Sequence, residues 1–321
     1  MAKNMKDEFG HITDQIKNAV MIIVLDSLFG SKGSDFAKQQ ARASSGIQRL
    51  SGIFSGLIGP GVAGGYKKGI IETVRSLRSQ GIAAHPRADM KAVEVLAKDS
   101  IRDFEVATAG GQTELQNFFY YTKQGILTES EISGIIGRGI AENADSESAV
   151  RELAQNLRKR LKSSTIASIP QSQEDDLVKL YLQKLRRRGV PSQFMDRFER
   201  LIREDKFLRI INKNGDPMQF RVSNYAELVT RYRVAEAQTI GTMNQAQFFG
   251  VTEFRISSHG TDCHICGPHE GKTYTTDHST PYFEYFSPEN RPPYHGHCKH
   301  RANAITRARA ISEVHPDMEA A

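Results

Sequence analysis

The residues best suited to carry chemistry in this chain are its three cysteines, which all lie in the C-terminal part. The pair Cys263-x2-Cys266 places two thiolates on one tight turn, where both can bind a single metal ion at tetrahedral angles. His295-x2-Cys298 supplies a second pair with a similar spacing. The combined pattern C-x2-C-x28-H-x2-C is a Cys3His set suited to zinc. The sequence therefore predicts a zinc site formed by Cys263, Cys266, His295 and Cys298.

The fourth ligand of this site has two rivals, because His297 and His300 can each swing in beside Cys298. An alternative hypothesis is that free thiols simply gather in a loosely packed tail, but the flanking residues Asp262 and Lys299 are charged rather than apolar. Four protein ligands leave no open coordination position, so the predicted role of the zinc is structural. It would hold together a segment that has too few apolar residues to fold alone.

A catalytic interpretation rests on Asp277-His278-x2-Pro281, which lies between the two ligand pairs. The arrangement is similar to the core of a ββα-metal (HNH) nuclease, in which a histidine activates water beside a catalytic metal ion. No second C-x2-C pair and no glycine-rich turn after the proline accompany it, so His278 is better interpreted as a loop histidine. The chain also has no P-loop, Rossmann fingerprint, G-x-S-x-G or H-E-x-x-H motif. We therefore predict no catalytic residues and keep a metal-dependent, HNH-like nuclease as the alternative.

The composition is that of an ordinary globular protein, with 321 residues of which 39% are hydrophobic and 25% are charged. A net charge of +6 permits a basic surface but argues against a highly basic nucleoprotein. Three cysteines do not suit a disulfide framework and residues 1–10 show no secretory signal, so we expect synthesis in a reducing cytosol. The apolar run 19–25 is too short to cross a bilayer, and we expect no membrane association.

The first third of the chain is predicted to be helical from the spacing of its apolar residues. Helices are expected over 12–29, 36–54 and 70–77. Gly59-Pro60-Gly61 is expected to interrupt them, because both residue types disfavour helix interiors. The glycine-rich segment 52–65 carries G-x3-G spacings, which predict either a close helix crossing or a mobile loop.

A second helical block is predicted over 90–162, and Gly110-Gly111 is expected to split it. Within this block, Thr128-x2-Glu131 has the pattern of a capping box. The polar segment 163–175 contains a proline and is predicted to be a linker. The segment is therefore the best internal boundary that the sequence offers.

Helices are predicted again at 176–188 and 191–204. The segment Lys184–Arg209 contains nine Lys or Arg residues and only four Asp or Glu residues. Such a run is most often a solvated helix face, and the alternative is a surface for nucleic acid or an acidic partner.

The periodicity changes after residue 205. Residues 207–211 and 218–222 flank an Asn-Gly-Asp turn and predict a β-hairpin. Asn224-x2-Glu227 has the pattern of a capping box, which predicts the start of a long helix that ends at Gly250. Short strands are expected in the segment that carries the cysteines, at 253–257 and 301–305.

The predicted fold class is α+β, with a mainly helical N-terminal two-thirds followed by a small zinc-stapled α+β domain. We expect three regions: a helical N-terminal region 1–110, a helical middle region 111–204 with its linker near 163–175, and a zinc-binding domain 205–321.

The order of motifs after residue 205 resembles that of a known family. The motifs are the hairpin, YAELVTR at the start of the long helix, SSH before the first cysteine pair, EGKTY after it, and PPYHGHCKH at the second ligand pair. This order resembles the minor head proteins of tailed bacteriophages, the Mu F-like domain family, over roughly residues 205–306. The tail motif of that family reads approximately P-P-F-H-P-N-C-R-C or C-R-H. The motif differs here by four residues, Tyr294, Gly296, His297 and Lys299.

The resemblance implies a structural virion protein, present in several copies at the portal vertex or in the head interior, and in the host cytoplasm during assembly. Its partners would be phage portal and head proteins, and its role would be to aid head assembly, DNA packaging or DNA delivery. Packaged DNA is a further expected contact, through phosphates and without sequence specificity. The basic residues considered first for that contact are Arg186, Arg187, Arg188, Arg301, Arg307 and Arg309. Another hypothesis is a non-virion DNA-binding or toxin-delivery protein.

Overall fold

The computed structural model describes residues 2–29, 33–124, 171–212 and 214–314. Helices fill most of the first part of these ranges, and small sheets follow, so the predicted α+β class is confirmed. The helices are α1 (Ala2–Phe29), α2 (Gly33–Ser79), α3 (Met90–Gln124), α4 (Gln171–Arg187), α5 (Ser192–Arg203), α6 (Val222–Phe248) and α7 (Arg307–Val314). The strands are β1 (Leu208–Ile211), β2 (Pro217–Phe220), β3 (Glu253–Ile256), β4 (Thr273–Thr275), β5 (Glu284–Tyr285) and β6 (Ala302–Ile305).

The strands form two sheets. Strands β1 and β2 pair as the predicted antiparallel hairpin. The second sheet has the order β5-β4-β3-β6, in which β3 runs antiparallel to both neighbours and β4 runs parallel to β5. The predicted strands at 253–257 and 301–305 are thus confirmed as β3 and β6.

Several predictions for the middle region lie outside the described residues. They are the capping box at Thr128, residues 125–162 of the second helical block and the first part of the linker 163–175. The last five residues of that linker are instead the first residues of α4, which begins at Gln171. The helices predicted at 176–188 and 191–204 are confirmed as α4 and α5.

The described residues divide into two compact units. The first unit takes its residues from Met1–Ile53 and Glu105–Tyr225, and the second from Phe54–Phe104 and Ala226–Ala321. This division differs from the three consecutive regions expected from the sequence, because each unit combines segments that are distant in sequence.

The first unit is built around α1. All of its residues 19–25 are buried, so this part of α1 is enclosed on every face. Such burial is expected of a helical segment that is apolar on all sides. Helix α1 packs against α4 and α5. An aromatic cluster adds to this core, since the ring of Phe118 on α3 contacts those of Tyr181 and Phe198 at centroid distances of 5.8 and 5.5 Å.

Helix α3 continues through Gly110 and Gly111, so the predicted break at these residues is wrong. A Cβ atom at Gly110 would overlap the backbone carbonyl of Arg209, and one at Gly111 would overlap that of Phe207. The two glycines therefore let the backbone of α3 lie directly against the start of the hairpin. Tertiary packing offsets their low helix propensity, which amounts to about 1 kcal/mol per residue.

Helix α2 also runs without interruption past Gly59-Pro60-Gly61, contrary to the prediction. Pro60 is exposed, and a proline within a helix removes one backbone hydrogen bond. The buried side chains Phe54, Ile58, Val62 and Tyr66 continue along one face on both sides of it. Burial of this continuous apolar face maintains the helix through an unfavourable residue.

In the second unit, α2 and α6 cross at close range, which is one of the two alternatives that the glycine spacing predicted. Cβ atoms at Gly65 and Gly69 would overlap the carbonyl oxygens of Val234 and Gln238 on α6. The approach is reciprocal, since a Cβ atom at Gly241 would overlap the carbonyl oxygen of Tyr66.

The crossing does not extend along the whole glycine-rich segment. The Cβ positions of Gly52 and Gly56 have no described atom within 4 Å. The predicted close approach is therefore confirmed only for the C-terminal end of the segment 52–65.

Helix α6 begins at Val222, so the predicted capping box at Asn224 is wrong. The Tyr225 N–H donates to the Arg221 carbonyl at 3.0 Å, so Asn224 already lies inside the first helical turn and does not cap it. The end of the helix is as predicted. Gly250 takes a left-handed φ of +71°, and the Val251 N–H donates back to the Ala246 carbonyl at 3.0 Å.

Candidate metal centre

The register of β3 and β6 brings the two predicted ligand pairs together. Ile256, the last residue of β3, pairs with Ala302, the first residue of β6. One more hydrogen bond extends the pairing, since the Ser257 N–H donates to the Arg301 carbonyl at 2.9 Å. The segment that follows β3 and the segment that precedes β6 therefore leave the sheet at the same end. The first carries the C-x2-C pair and the second carries the H-x2-C pair.

The first pair lies on a tight turn, as predicted for a metal-binding knuckle. The Gly267 N–H donates to the Cys263 carbonyl at 2.8 Å, and the His269 N–H donates to the Cys266 carbonyl at 3.1 Å. A short 3₁₀ turn, Gly267–His269, follows directly. The turn places both thiols in one donor group with His295.

All four predicted ligands belong to one cluster of donor atoms, and His300 joins them. Cys263, Cys266 and His295 form a first group, and Cys266, Cys298 and His300 form a second group. Within each group all donor atoms lie within 4.8 Å of one another, and the buried Cys266 belongs to both.

Three sulfur–nitrogen distances within the cluster match those between ligands of one bound ion. His295 Nε2 lies 3.5 Å from Cys263 Sγ and 3.4 Å from Cys266 Sγ, and His300 Nδ1 lies 3.5 Å from Cys298 Sγ. Sulfur and nitrogen ligands of one tetrahedral ion are separated by about 3.5 Å, given bond lengths of about 2.3 and 2.0 Å. The cluster can therefore hold a metal ion.

His300 is oriented by the carboxylate of Glu270, which the ligand spacing does not assign to the site. Its Nε2 lies 2.7 Å from Glu270 Oε1, and the imidazole is buried. Burial acts to raise the pKa of Glu270, but N–H groups of His259, His300, Thr261 and Gly260 donate to it and lower this pKa to about 2. An ionised carboxylate behind an imidazole is the usual outer partner of a metal-binding histidine. The sequence signal for it was the EGKTY motif, which suggested a resemblance but no role.

His297, the other rival ligand, belongs to neither donor group among the described residues. Its imidazole is exposed, and its backbone N–H donates to His295 Nδ1 at 3.3 Å. The structure thus brings His295 and His300 to the cysteines and leaves the His297 side chain outside.

The local environment changes the acidity of the thiols in opposite directions. Burial raises the pKa of Cys266 to about 12, and the neighbouring sulfurs of Cys263 and Cys298 add to this rise. The backbone N–H groups of Cys266 and Ile265 lower the pKa of Cys263. A bound cation favours the thiolate form of every sulfur that it contacts.

The residues of the nuclease hypothesis occupy a different place. His278 lies in a turn, as predicted for a loop histidine, and stacks on Tyr285 with ring centroids 3.9 Å apart. Asp277 accepts hydrogen bonds from Ser279 and from Arg307, which hold its pKa well below its usual range. Neither residue belongs to the donor groups found among the described residues.

Comparisons with protein-family models, with curated proteins and with solved structures gave no match. The family resemblance therefore rests on the order of motifs in the sequence, and the metal centre rests on its geometry. Within the described ranges, every helix is too short or too polar to cross a membrane.

Proposed function

We propose that the Cys/His cluster is a structural zinc site, and that the chain is a non-enzymatic minor head protein of a tailed-phage virion. The observation that carries the proposal is that two donor groups sharing Cys266 bring three thiols and two imidazoles together from the two ends of the segment between β3 and β6. Three thiolates and one imidazole suit zinc better than harder cations, and such a set leaves no position for substrate.

The segment between β3 and β6 has a very small apolar core to stabilise its fold. Among residues 257–301, all of which are described, the buried apolar side chains are Cys266, Tyr274 and Phe286, together with two prolines. A stretch of this length with so small a core depends on cross-links or metal ions for its fold. Zinc, when bound, supplies that cross-link by fixing the two ligand pairs to each other.

We further propose that His300, and not His295, is the imidazole ligand. Because His300 Nε2 donates its proton to Glu270, its Nδ1 keeps a free lone pair directed at Cys298. His295 has the opposite arrangement, since its Nδ1 accepts the N–H of His297 and its Nε2 must then carry the proton. His295 thus serves as a hydrogen-bond donor to the thiolates.

Substitution of the three histidines tests this ligand set. His300→Ala is expected to lower zinc affinity at least 100-fold, because a direct ligand is lost. His295→Ala is expected to lower it about tenfold, at the lower end of the 10–100-fold range that is usual for outer partners, and His297→Ala should leave it unchanged. Competition with a chromophoric chelator gives the three affinities. Equal affinity of the wild type and His300→Ala, with loss in His295→Ala, would assign the ligand to His295 instead.

The proposal of a phage head protein is supported by the motif resemblance and by the structural rather than catalytic character of the donor set. Its partners would be the portal and head proteins, with packaged DNA as an additional contact. Quantitative mass spectrometry of particles from the phage that encodes the chain tests it. The expected result is several copies per particle, and absence from complete particles would contradict the proposal.

A nuclease assay tests the non-enzymatic part of the proposal. We expect purified protein to leave plasmid DNA intact with added Mg²⁺ or Mn²⁺. Nicking that appears with either ion and disappears in His278→Ala, with the fold unchanged, would favour the nuclease alternative.

A further inference from the structure

A cleft of about 840 Å³ lies beside the metal centre in the second unit. One wall combines Lys68 of α2 with the face of α6 that includes Arg231 and Val234. The other wall is the chain from Gly296 to Asn303, which carries the ligands Cys298 and His300.

The walls of the cleft are basic. Four Lys or Arg residues line it, together with three histidines, and no Asp or Glu residue lines it. The four cationic residues are Lys68, Arg231, Lys299 and Arg301. Their side chains are exposed, so the charges can reach a ligand without a large desolvation cost.

Carboxylates behind the walls offset only part of this charge. Glu72 is shared, since it lies 3.9 Å from Lys68 and 3.4 Å from Arg301. Glu227 pairs with Arg231 at 2.5 Å. Lys299 has no ion-pair partner in the part of the chain that the structure describes, so the cleft keeps an excess of positive charge.

Two features already described position these charges. The close crossing of α2 and α6 at Gly69 places Lys68 beside the face of α6 that carries Arg231. In the other wall His300 is buried, whereas its neighbours Lys299 and Arg301 are exposed on either side of it. A metal bound at His300 would therefore also fix the two cations that flank it.

We infer that this cleft binds the phosphodiester backbone of a nucleic-acid strand. The cations come from three separate chain segments, as suits a ligand with several phosphates better than a single phosphate ion. The guanidinium groups of Arg231 and Arg301 and the imidazole of His259 are planar groups on which bases can stack, a contact that the carboxylates of an acidic peptide cannot make. The inference deepens the proposed function by naming the surface that contacts DNA.

Binding of a fluorescein-labelled 12-nucleotide strand to the zinc-loaded full chain tests the inference. The wild type is expected to bind with an affinity that falls steeply with salt. Lys68→Ala and Lys299→Ala should each weaken binding and lower the slope of log K against log salt by about 0.7. Lys67→Ala and Lys272→Ala are matched controls, because both lysines are exposed in the same unit but lie outside the cleft, and neither should change the affinity.

Other outcomes would overturn the inference. Absence of binding, an equal loss in all four variants, or equally tight binding of a poly-glutamate peptide would show that no nucleic-acid site exists in the cleft. A 12-base-pair duplex of the same sequence distinguishes double-stranded from single-stranded ligands, and either one supports the inference if the two cleft variants weaken it. Zinc content, measured on every sample, separates failure of this inference from failure of the proposed zinc site.

Discussion

Replacing Cys266 by serine is expected to abolish tight zinc binding and to unfold residues 257–301, while α1 to α6 remain helical. Cys266 is the donor common to both groups of the cluster, and it is buried, so a serine there removes a thiolate that no neighbour can replace. The free energy of zinc binding in small structural sites is about 10–16 kcal/mol, and it contributes directly to folding. The small core of the segment between β3 and β6 cannot offset a loss of that size.

Hydrogen exchange with mass spectrometry checks this expectation segment by segment. Amides of 257–301 should exchange quickly in Cys266→Ser, and those of α1 to α5 should be as protected as in the wild type. His264→Ala is the matched control, since His264 lies on the same turn but its side chain is exposed and outside both donor groups. Unchanged protection in Cys266→Ser would contradict the structural role of the site.

Gly69→Ala is the substitution for which we expect the second largest effect, a loss of about 3 kcal/mol of stability. The added methyl group would meet the Gln238 carbonyl oxygen and lie 2.9 Å from the Thr242 nitrogen. Both are backbone atoms of α6, so neither can move aside without displacing the helix. Overpacking of a core costs about 1–3 kcal/mol, and a contact between two backbones belongs at the upper end of that range.

Gly64→Ala provides the control for this prediction on the same helix. Gly64 is exposed and has no described atom within 4 Å of its Cβ position, so alanine there should stabilise α2 by up to about 1 kcal/mol. Thermal unfolding followed by circular dichroism should thus move the two variants in opposite directions. If Gly69→Ala melts at or above the temperature of Gly64→Ala, the close crossing of α2 and α6 is not a stabilising contact.

The metal cluster was predictable because the sequence around its cysteines is not that of an apolar core. Cys263, Cys266 and Cys298 lie among charged and polar residues, where a core cysteine would have apolar neighbours. The first two follow the predicted strand 253–257 and the third precedes the predicted strand 301–305, and pairing of these two strands brings them together. The sequence does not distinguish His295 from His300, since the proposed choice between them depends on hydrogen bonds that the His297 N–H and Glu270 make with the two rings.

The long helices show where sequence reasoning was misled. Gly110, Gly111 and Pro60 are poor helix residues, and their local preferences predicted breaks that do not occur. Contacts with residues far away in sequence maintain the helices. The backbones of Phe207 and Arg209, for example, pack against the two glycines of α3. Local helix propensity carries no information about such partners. For the same reason, the sequence pattern does not predict that each compact unit is assembled from segments distant in sequence.

The most direct test of the account is the zinc content of the purified full-length chain, measured by elemental mass spectrometry before and after chelation. We expect one zinc per chain that survives gel filtration, and we expect its removal to expose residues 257–301 to hydrogen exchange. Protein that contains no metal, or that loses its metal with no change in exchange over 257–301, would contradict the claim that zinc holds this part of the molecule together.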